Sequence, residues 1–172
     1  TETVYGLAAS ARRADGVRRI FEAKGRAHNS PLALAIRSVE DALDYAPSLG
    51  VKAQRLARRC WPGPISFEFS VSQTVRGLSA VLPESTRQLA ARDGLVILRA
   101  PAHDVLQGIL RLLPGPLVML GEYAARNGHG GQLPPWLPAP NGEISFVIDD
   151  GNCRYGASSS LVRIRGEEWE LL

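Results

Sequence analysis

Short runs of hydrophobic residues alternate along the chain with segments of helical periodicity. Ile65–Val71 places apolar and polar side chains at alternating positions, which is typical of a strand with one buried face. Thr1–Tyr5, which contains β-branched and aromatic residues, is predicted to be the end of a first strand that is truncated at the start of the chain. Five more apolar runs are predicted to be strands: Pro31–Ile36, Gly94–Arg99, Leu117–Leu120, Ser145–Ile148 and Ser159–Ile164.

Helices are predicted between these strands. Asp15 can cap a helix that runs to about Ala23 and buries Val17 and Ile20. Interleaved strands and helices without an internal repeat predict the α/β (α+β) class, as a single domain over residues 1–172 with a twisted mixed β-sheet flanked by helices. The other predicted helices are Val39–Tyr45, Val51–Cys60 and Asp104–Leu113.

Composition narrows the class of protein. Hydrophobic residues make up 45% of the chain and charged residues 22%, as in globular domains. No apolar run reaches the ~18 residues that a membrane span needs, and the first segment lacks the pattern of a signal peptide. Cys60 and Cys153 lack the spacing of a zinc site. The chain is therefore expected to be cytoplasmic, with no membrane partner.

The positive charge is carried almost entirely by arginine, with 18 Arg against 2 Lys and a net charge of +3. Arginine forks match phosphate and carboxylate groups, so anionic partners are expected. Arg55, Arg58 and Arg59 fall on one face of a predicted helix. Such a face can receive RNA phosphates, although more often it is a solvated helix surface.

Hydroxyl and basic side chains occur at two predicted element ends near the start of the chain. Thr1, Thr3 and Tyr5 can offer donors to a small polar ligand, although Thr-rich strand ends are commonly structural. Lys24 and Arg26, two residues apart beyond a helix, can converge on one triphosphate. The same pair is also typical of a basic helix end that complements the macrodipole.

Three later segments carry further candidate residues. Trp61–Ser66 (WPGPIS) predicts a rigid turn from helix to strand with an aromatic plug. Arg99 ends a predicted buried strand, where its charge needs either a ligand carboxylate or a structural ion pair. His103 is placed to cap or begin the next helix. Ser159 and Ser160 lie in a serine cluster, which alone usually marks a turn.

Taken together and in order, these segments resemble the YrdC family. TETVYGL at the start is similar to the family's P-T-E-T-V-Y-G-L signature, and Lys24–Leu32 to its K-x-R-x-x-x-x-P-L segment. Trp61–Ser66 resembles W-P-G-P-L-T, and Val96–His103 resembles V-A-V-R-V-P-x-H. Asp149–Val162 is similar to the stretch D-G-G-x-C-x-x-G-x-x-S-T-V-V.

The resemblance implies a fold with a concave basic surface and the activity of a threonylcarbamoyl-AMP synthase. Such an enzyme joins L-threonine, bicarbonate and ATP into threonylcarbamoyl-AMP and pyrophosphate, for a tRNA modification. Lys24 and Arg26 would bind the ATP phosphates, which Mg²⁺ would bridge. No residue is assigned as a general acid or base. The resemblance places threonine at Thr3, Arg99 and Ser159, with additional contacts from Thr1, Tyr5 and Ser160.

The chain departs from the family after the predicted strand Leu117–Leu120. There the family reads S-A-N-x-(S/T)-G, whose serine and asparagine complete its phosphate site, but Gly121 and Tyr123 occupy those places here. Glu122 would bring a negative charge towards a triphosphate unless Mg²⁺ bridges it. The alternative hypothesis is therefore a catalytically impaired paralogue that binds double-stranded RNA, tRNA or a nucleotide.

Overall fold

The computed structural model describes residues 1–23, 32–47, 49–70, 82–91, 94–121, 131–132 and 144–172. These described ranges form seven strands and five helices. The strands are β1 (Leu7–Ser10), β2 (Ala33–Ala35), β3 (Ile65–Ser70), β4 (Leu95–Arg99), β5 (Leu117–Leu120), β6 (Ser160–Arg165) and β7 (Glu168–Leu171). The helices are α1 (Ala14–Ala23), α2 (Val39–Tyr45), α3 (Val51–Cys60), α4 (Glu84–Ala90) and α5 (Asp104–Leu112).

The strands form one mixed sheet in the order β1-β5-β2-β4-β3-β6-β7, which confirms the predicted fold class. Two neighbouring pairs are parallel, β2 with β4 and β3 with β6, and the others are antiparallel. Phe67 of β3 lies opposite Leu98 of β4, and Ile65 beside Ser160 of β6. The end of β4 therefore lies at the same edge of the sheet as the beginnings of β3 and β6.

The two faces of the sheet are covered differently. One face carries the main core, in which Phe67, Phe69 and Leu98 pack with residues from α1, α2 and α3. On the second face, α5 covers a smaller cluster that includes Ala35 and Leu117. Since side chains alternate along a strand, Ser66, Glu68 and Arg99 also lie on this second face.

Local sequence sets the ends of several helices. Ser38 caps α2 and His103 caps α5, each accepting a hydrogen bond from a backbone N–H of the first turn. The predicted cap at His103 is thus confirmed. Both α2 and α3 begin and end at the predicted residues. Helix α1 begins at Ala14, so Asp15 lies in its first turn and not at the predicted cap position.

A tight turn joins α3 to β3, as the WPGPIS string predicts. The buried Trp61 ring donates its Nε1–H to the Ile65 carbonyl (2.6 Å) and lies 5.0 Å from the Phe67 ring, centroid to centroid. The peptide bond that follows Trp61 is cis. A Cβ on Gly63 would lie 2.2 Å from the Cys60 carbonyl oxygen, so this position requires glycine.

Replacing Gly63 by alanine is expected to lower the free energy of unfolding by roughly 2–3 kcal/mol, because a backbone carbonyl must move to admit the methyl group. Gly63 also donates to the Ala100 carbonyl and accepts from Arg99, so the shift would loosen the end of β4. Urea unfolding measures the effect. Gly108 in α5 is the control, since a Cβ there meets nothing within 4 Å. Equal losses for Gly63→Ala and Gly108→Ala would contradict the steric argument.

Two predicted strands are wrong. Thr1–Tyr5 is irregular, because the Thr1 hydroxyl accepts the backbone N–H groups of Thr3 and Val4 and so forms a local turn in place of strand pairing. Residues 145–148 form no strand either, and Phe146 is 74% exposed, so no core holds this segment in a sheet. The predicted loop at Gly128–Gly142 lies outside the described residues, apart from 131–132.

Candidate functional site

The segment Thr1–Gly6 crosses the second face of the sheet and is fixed close to the end of β5. A Cβ on Gly6 would lie 2.7 Å from the Leu120 carbonyl oxygen, so the two backbones touch. Val4 is buried, and its Cγ2 would lie 3.3 Å from a Cβ on Gly121. The segment Thr1–Gly6 is therefore a neighbour of Gly121, where the sequence departs from the family pattern.

A buried arginine holds this segment in place. The Arg99 side chain, 10% exposed, donates from Nη1 to the Thr3 hydroxyl (3.1 Å) and from Nη2 to Oε1 of Glu2 (2.6 Å). Its Nε donates to the Gly63 carbonyl (3.2 Å). Oε1 of Glu2 also accepts the backbone N–H of Ala102 (3.0 Å). Since the Glu2 side chain is only 5% exposed, the two charges form a buried ion pair.

Of the two partners that the sequence left open for Arg99, the structure supplies the structural ion pair. Its partner, Glu2, was not among the residues predicted from the sequence. The signal was available, because a buried arginine requires a carboxylate, and Glu2 lies in the signature beside Thr3. The other oxygen of Glu2, Oε2, is buried and has no hydrogen-bond partner among the described residues, so within them the carboxylate is only half satisfied.

The threonine hydroxyls at the start of the chain are ordered by each other and by Arg99. Oγ1 of Thr1 lies 2.8 Å from Oγ1 of Thr3 and donates to the Val4 carbonyl (3.0 Å). Thr3 is 1% exposed, so its hydroxyl is held between Thr1 and the guanidinium of Arg99. The predicted residues Thr1, Thr3 and Arg99 therefore belong to one hydrogen-bonded cluster.

The serines before β6 lie beside this cluster. Oγ of Ser159 is 2.9 Å from Oγ of Ser66, which the β3–β4 register places next to Arg99 on the same face. Ser160 is exposed, and its backbone N–H donates to the Pro64 carbonyl (3.0 Å). The structure thus brings Ser159 to the edge of the sheet where Arg99 lies, whereas the Ser160 side chain lies in solvent.

The loop before β6 contacts the same segment through Tyr5. The Tyr5 hydroxyl lies within hydrogen-bond distance of the Asp149 carboxylate and 2.7 Å from the Gly151 carbonyl oxygen. Partial burial, followed by the hydrogen bond to Asp149, raises the pKa of Tyr5 to about 12, and the same bond lowers the pKa of Asp149. The backbone N–H of Tyr155 also donates to the Glu2 carbonyl (3.0 Å), so this loop covers the segment.

The Tyr5 hydrogen bond is expected to make the free energy of unfolding depend on pH in the alkaline range. The pKa of Tyr5 is raised above its usual value of 10.0. The stabilisation that the protonated Tyr5 hydroxyl gives to the folded state is therefore complete below pH 10.0 and is lost as the pH rises towards about 12. We expect Tyr5→Phe to be less stable than the parent at pH 8 and to lose less stability over the alkaline range. Thermal midpoints at each pH measure this, and a profile parallel to the parent's would refute it.

The predicted phosphate side of the site, Lys24 and Arg26, lies outside the described residues, as do Glu122 and Tyr123. In the parts of the chain that the structure describes, no group of three His, Cys, Asp or Glu side chains is arranged to hold a metal ion. No helix of those parts has the length and apolar character to cross a membrane. Phosphate and Mg²⁺ binding stay predictions from the sequence.

Comparison with known proteins identifies similar chains. The Sua5/YciO/YrdC family profile, described as "Telomere recombination", matches residues 1–172. The threonylcarbamoyl-AMP synthase of Pyrococcus abyssi is 32% identical over 171 residues, which are 98% of this chain and 46% of that protein. The Bacillus subtilis enzyme of the same name is 27% identical over 162 residues, 94% of this chain and 44% of the relative.

The solved structure of one relative is similar to the structure of this chain. P. abyssi Sua5 complexed with L-threonine superposes with a TM-score of 0.75 at 29% identity, covering 100% of this chain and 48% of that one. The chain spans about half the length of the curated relatives it matches. The profile match over the whole chain, together with the signature residues around Arg99, confirms the predicted resemblance. The chain belongs to the Sua5/YciO/YrdC family.

Proposed function

We propose that this chain is the catalytic domain of a threonylcarbamoyl-AMP synthase, which joins L-threonine, bicarbonate and ATP into threonylcarbamoyl-AMP and pyrophosphate for tRNA modification. One observation carries the proposal: Thr3, Arg99 and Ser159, which the family resemblance implies as threonine-binding residues, lie at one edge of the sheet. Hydroxyl and guanidinium groups suit an amino acid with a hydroxyl and a carboxylate. Relatives named threonylcarbamoyl-AMP synthase, and a relative solved with L-threonine, support the same substrate.

Arg99 would act largely through its neighbours in this proposal. Its contacts with Gly63, Thr3 and Glu2 use three of the five N–H groups that a guanidinium offers. The buried Thr3 hydroxyl would hold Arg99 in place, and the half-buried Ser159 would meet the threonine directly. The two remaining N–H groups of Arg99 would be available to the threonine carboxylate. Glu2 would be a positioning residue, because it holds Arg99 without contacting the ligand.

The ATP end would depend on cations. Lys24 and Arg26 would hold the phosphates, and Mg²⁺ bound with the ATP would neutralise part of their charge. Threonine and bicarbonate would give a threonine carbamate and water. An oxygen of the carbamate would attack the α-phosphorus, and the bond to the β-phosphate would break to release pyrophosphate. Positioning and stabilisation of phosphate charge would supply the rate, and no side chain need act as acid or base.

One difference favours a second function. Gly121 follows β5 beside Val4 and carries no hydroxyl where the family has a phosphate-binding serine. A chain that lacks this contact could keep the fold and bind a nucleotide, or the phosphates of double-stranded RNA or tRNA, without turnover. The two functions differ in whether threonine and ATP bind cooperatively.

Isothermal titration of the full-length protein tests the proposal. ATP with Mg²⁺ is titrated with and without L-threonine and bicarbonate, and we expect each ligand to tighten the other's binding. Ser159→Ala should weaken threonine binding but not ATP binding, whereas Ser158→Ala, at an exposed neighbouring position, should change neither. ATP binding that ignores threonine would favour the nucleotide-binding module. Binding of neither ligand at millimolar concentration would refute the proposal and leave RNA as the partner to test.

A further inference from the structure

Strand β7 is an edge strand of the sheet and carries solvent-exposed hydrophobic side chains. All four of its residues are exposed, and Trp169 and Leu171 are each 64% exposed. β7 pairs with β6 on one side, and no strand within the described ranges pairs with its other side. Glu168 and Glu170 are charges of the kind that usually protect an edge strand, but such strands rarely also present an open tryptophan beside a leucine.

Rows of side chains run across the three strands that lead to this edge. On the core face the register aligns Phe69 with Ile164 and Trp169, and Phe67 with Val162 and Leu171. On the opposite face the charges alternate in sign, because Glu68 forms an ion pair with Arg163, and Arg163 lies opposite Glu170. Glu168 likewise lies opposite Arg165. Among the described residues, each row ends at β7 without a further strand beside it.

We propose that β7 is a docking edge for an extended segment of another protein in which basic and apolar residues alternate. A strand that adds to the open edge would form backbone hydrogen bonds along β7. Its alternate side chains would lie opposite Glu170 on one face and opposite Trp169 and Leu171 on the other. A basic residue continues the alternating charge row, and apolar residues continue the hydrophobic rows.

A second copy of this chain fits the edge poorly. Antiparallel pairing of β7 with itself that places Trp169 opposite Trp169 also places Glu168 opposite Glu170, and pairing Trp169 with Leu171 places Glu170 opposite Glu170. In both registers glutamates lie opposite each other and repel. A shift by one residue places those glutamates opposite Trp169 and Leu171 and buries neither row. The charge pattern therefore favours a basic partner strand over self-association.

NMR titration of the ¹⁵N-labelled full-length protein tests the proposal with two synthetic peptides, one alternating lysine with valine and the other glutamate with valine. We expect the backbone amides of β7 and the indole N–H of Trp169 to shift with the lysine peptide. Its affinity should exceed that of the glutamate peptide by about threefold or more, from one or two cross-strand charge pairs. The chain's net charge of +3 would favour the acidic peptide, so the expected preference can come only from local carboxylates.

Charge variants locate the effect. Glu170→Gln should remove most of the preference for the lysine peptide, and Glu170→Lys should reverse it. Glu170→Gln keeps the test valid if the lysine of Glu170→Lys, which would lie opposite Arg163, destabilises the β6–β7 hairpin. Glu22→Lys, an equal charge change on α1, should leave the preference unchanged. The proposal is overturned if the β7 amides do not respond at millimolar peptide, if both peptides shift them equally, or if those amides shift with protein concentration alone.

Discussion

Replacing Arg99 by alanine is expected to lower the free energy of unfolding by about 3–5 kcal/mol, because the change leaves the Glu2 carboxylate buried without its counter-ion. The Thr3 hydroxyl and the Gly63 carbonyl would lose a donor in the same step. Glu2→Ala should be destabilising for the reciprocal reason, since it leaves the guanidinium without a carboxylate. The double variant should lose much less than the sum of the two single losses.

Urea unfolding of the four proteins in this cycle measures the coupling between Glu2 and Arg99. The matched control is the ion pair between Arg18 and Glu22 on α1. Their side chains are 65% and 58% exposed, and Nη1 of Arg18 lies 2.7 Å from Oε1 of Glu22. Arg18→Ala should cost no more than about 0.5 kcal/mol, because solvent screens an exposed pair. Additive losses at Glu2 and Arg99 would show that the buried pair does not organise the site.

Lys24→Ala is expected to weaken ATP binding by roughly 10- to 150-fold while leaving the thermal midpoint nearly unchanged. The loss of one charge-assisted contact to phosphate accounts for a change of this size, and the proposed role of Lys24 is in ligand binding and not in folding. Lys52, the other lysine of the chain, is the control. It pairs with Glu167 on the surface at 3.2 Å, so Lys52→Ala should not change ATP affinity.

Titration calorimetry measures ATP affinity, and a thermal melt of each variant shows that the fold is intact. If Lys24→Ala binds ATP as tightly as the parent, the assignment of the phosphate site is wrong. Equal losses for Lys24→Ala and Lys52→Ala would point instead to a general electrostatic effect of the basic chain.

Elements with local signals were predictable from the sequence. Helices α2 and α3 begin and end at the predicted residues, because Ser38 caps the first and Pro62 stops the second. The turn at Trp61 follows from its own Pro and Gly residues. In contrast, α4 buries only Thr86 and Ala90 and so has no apolar periodicity to recognise. Strand β7 is exposed at every residue and lacked a burial signal.

The arrangement of the site depends on contacts that sequence distance hides. Glu2 and Arg99 lie 97 positions apart in the sequence, and their contact in the fold gives Arg99 an ion-pair partner within the protein. Thr1–Tyr5 has the composition of a strand, but the Thr1 hydroxyl satisfies nearby backbone groups and turns the chain instead. The family motifs therefore identified most of the residues of the cluster, whereas the contacts among them required the fold.

Pyrophosphate release by the full-length protein, with ATP, Mg²⁺ and bicarbonate, tests the central claim most directly when L-threonine is the variable. The proposed synthase predicts release that requires L-threonine and that falls sharply in Lys24→Ala. Under the same conditions, ATP binding without any threonine-dependent release of pyrophosphate would contradict it and would identify a family member that has lost turnover.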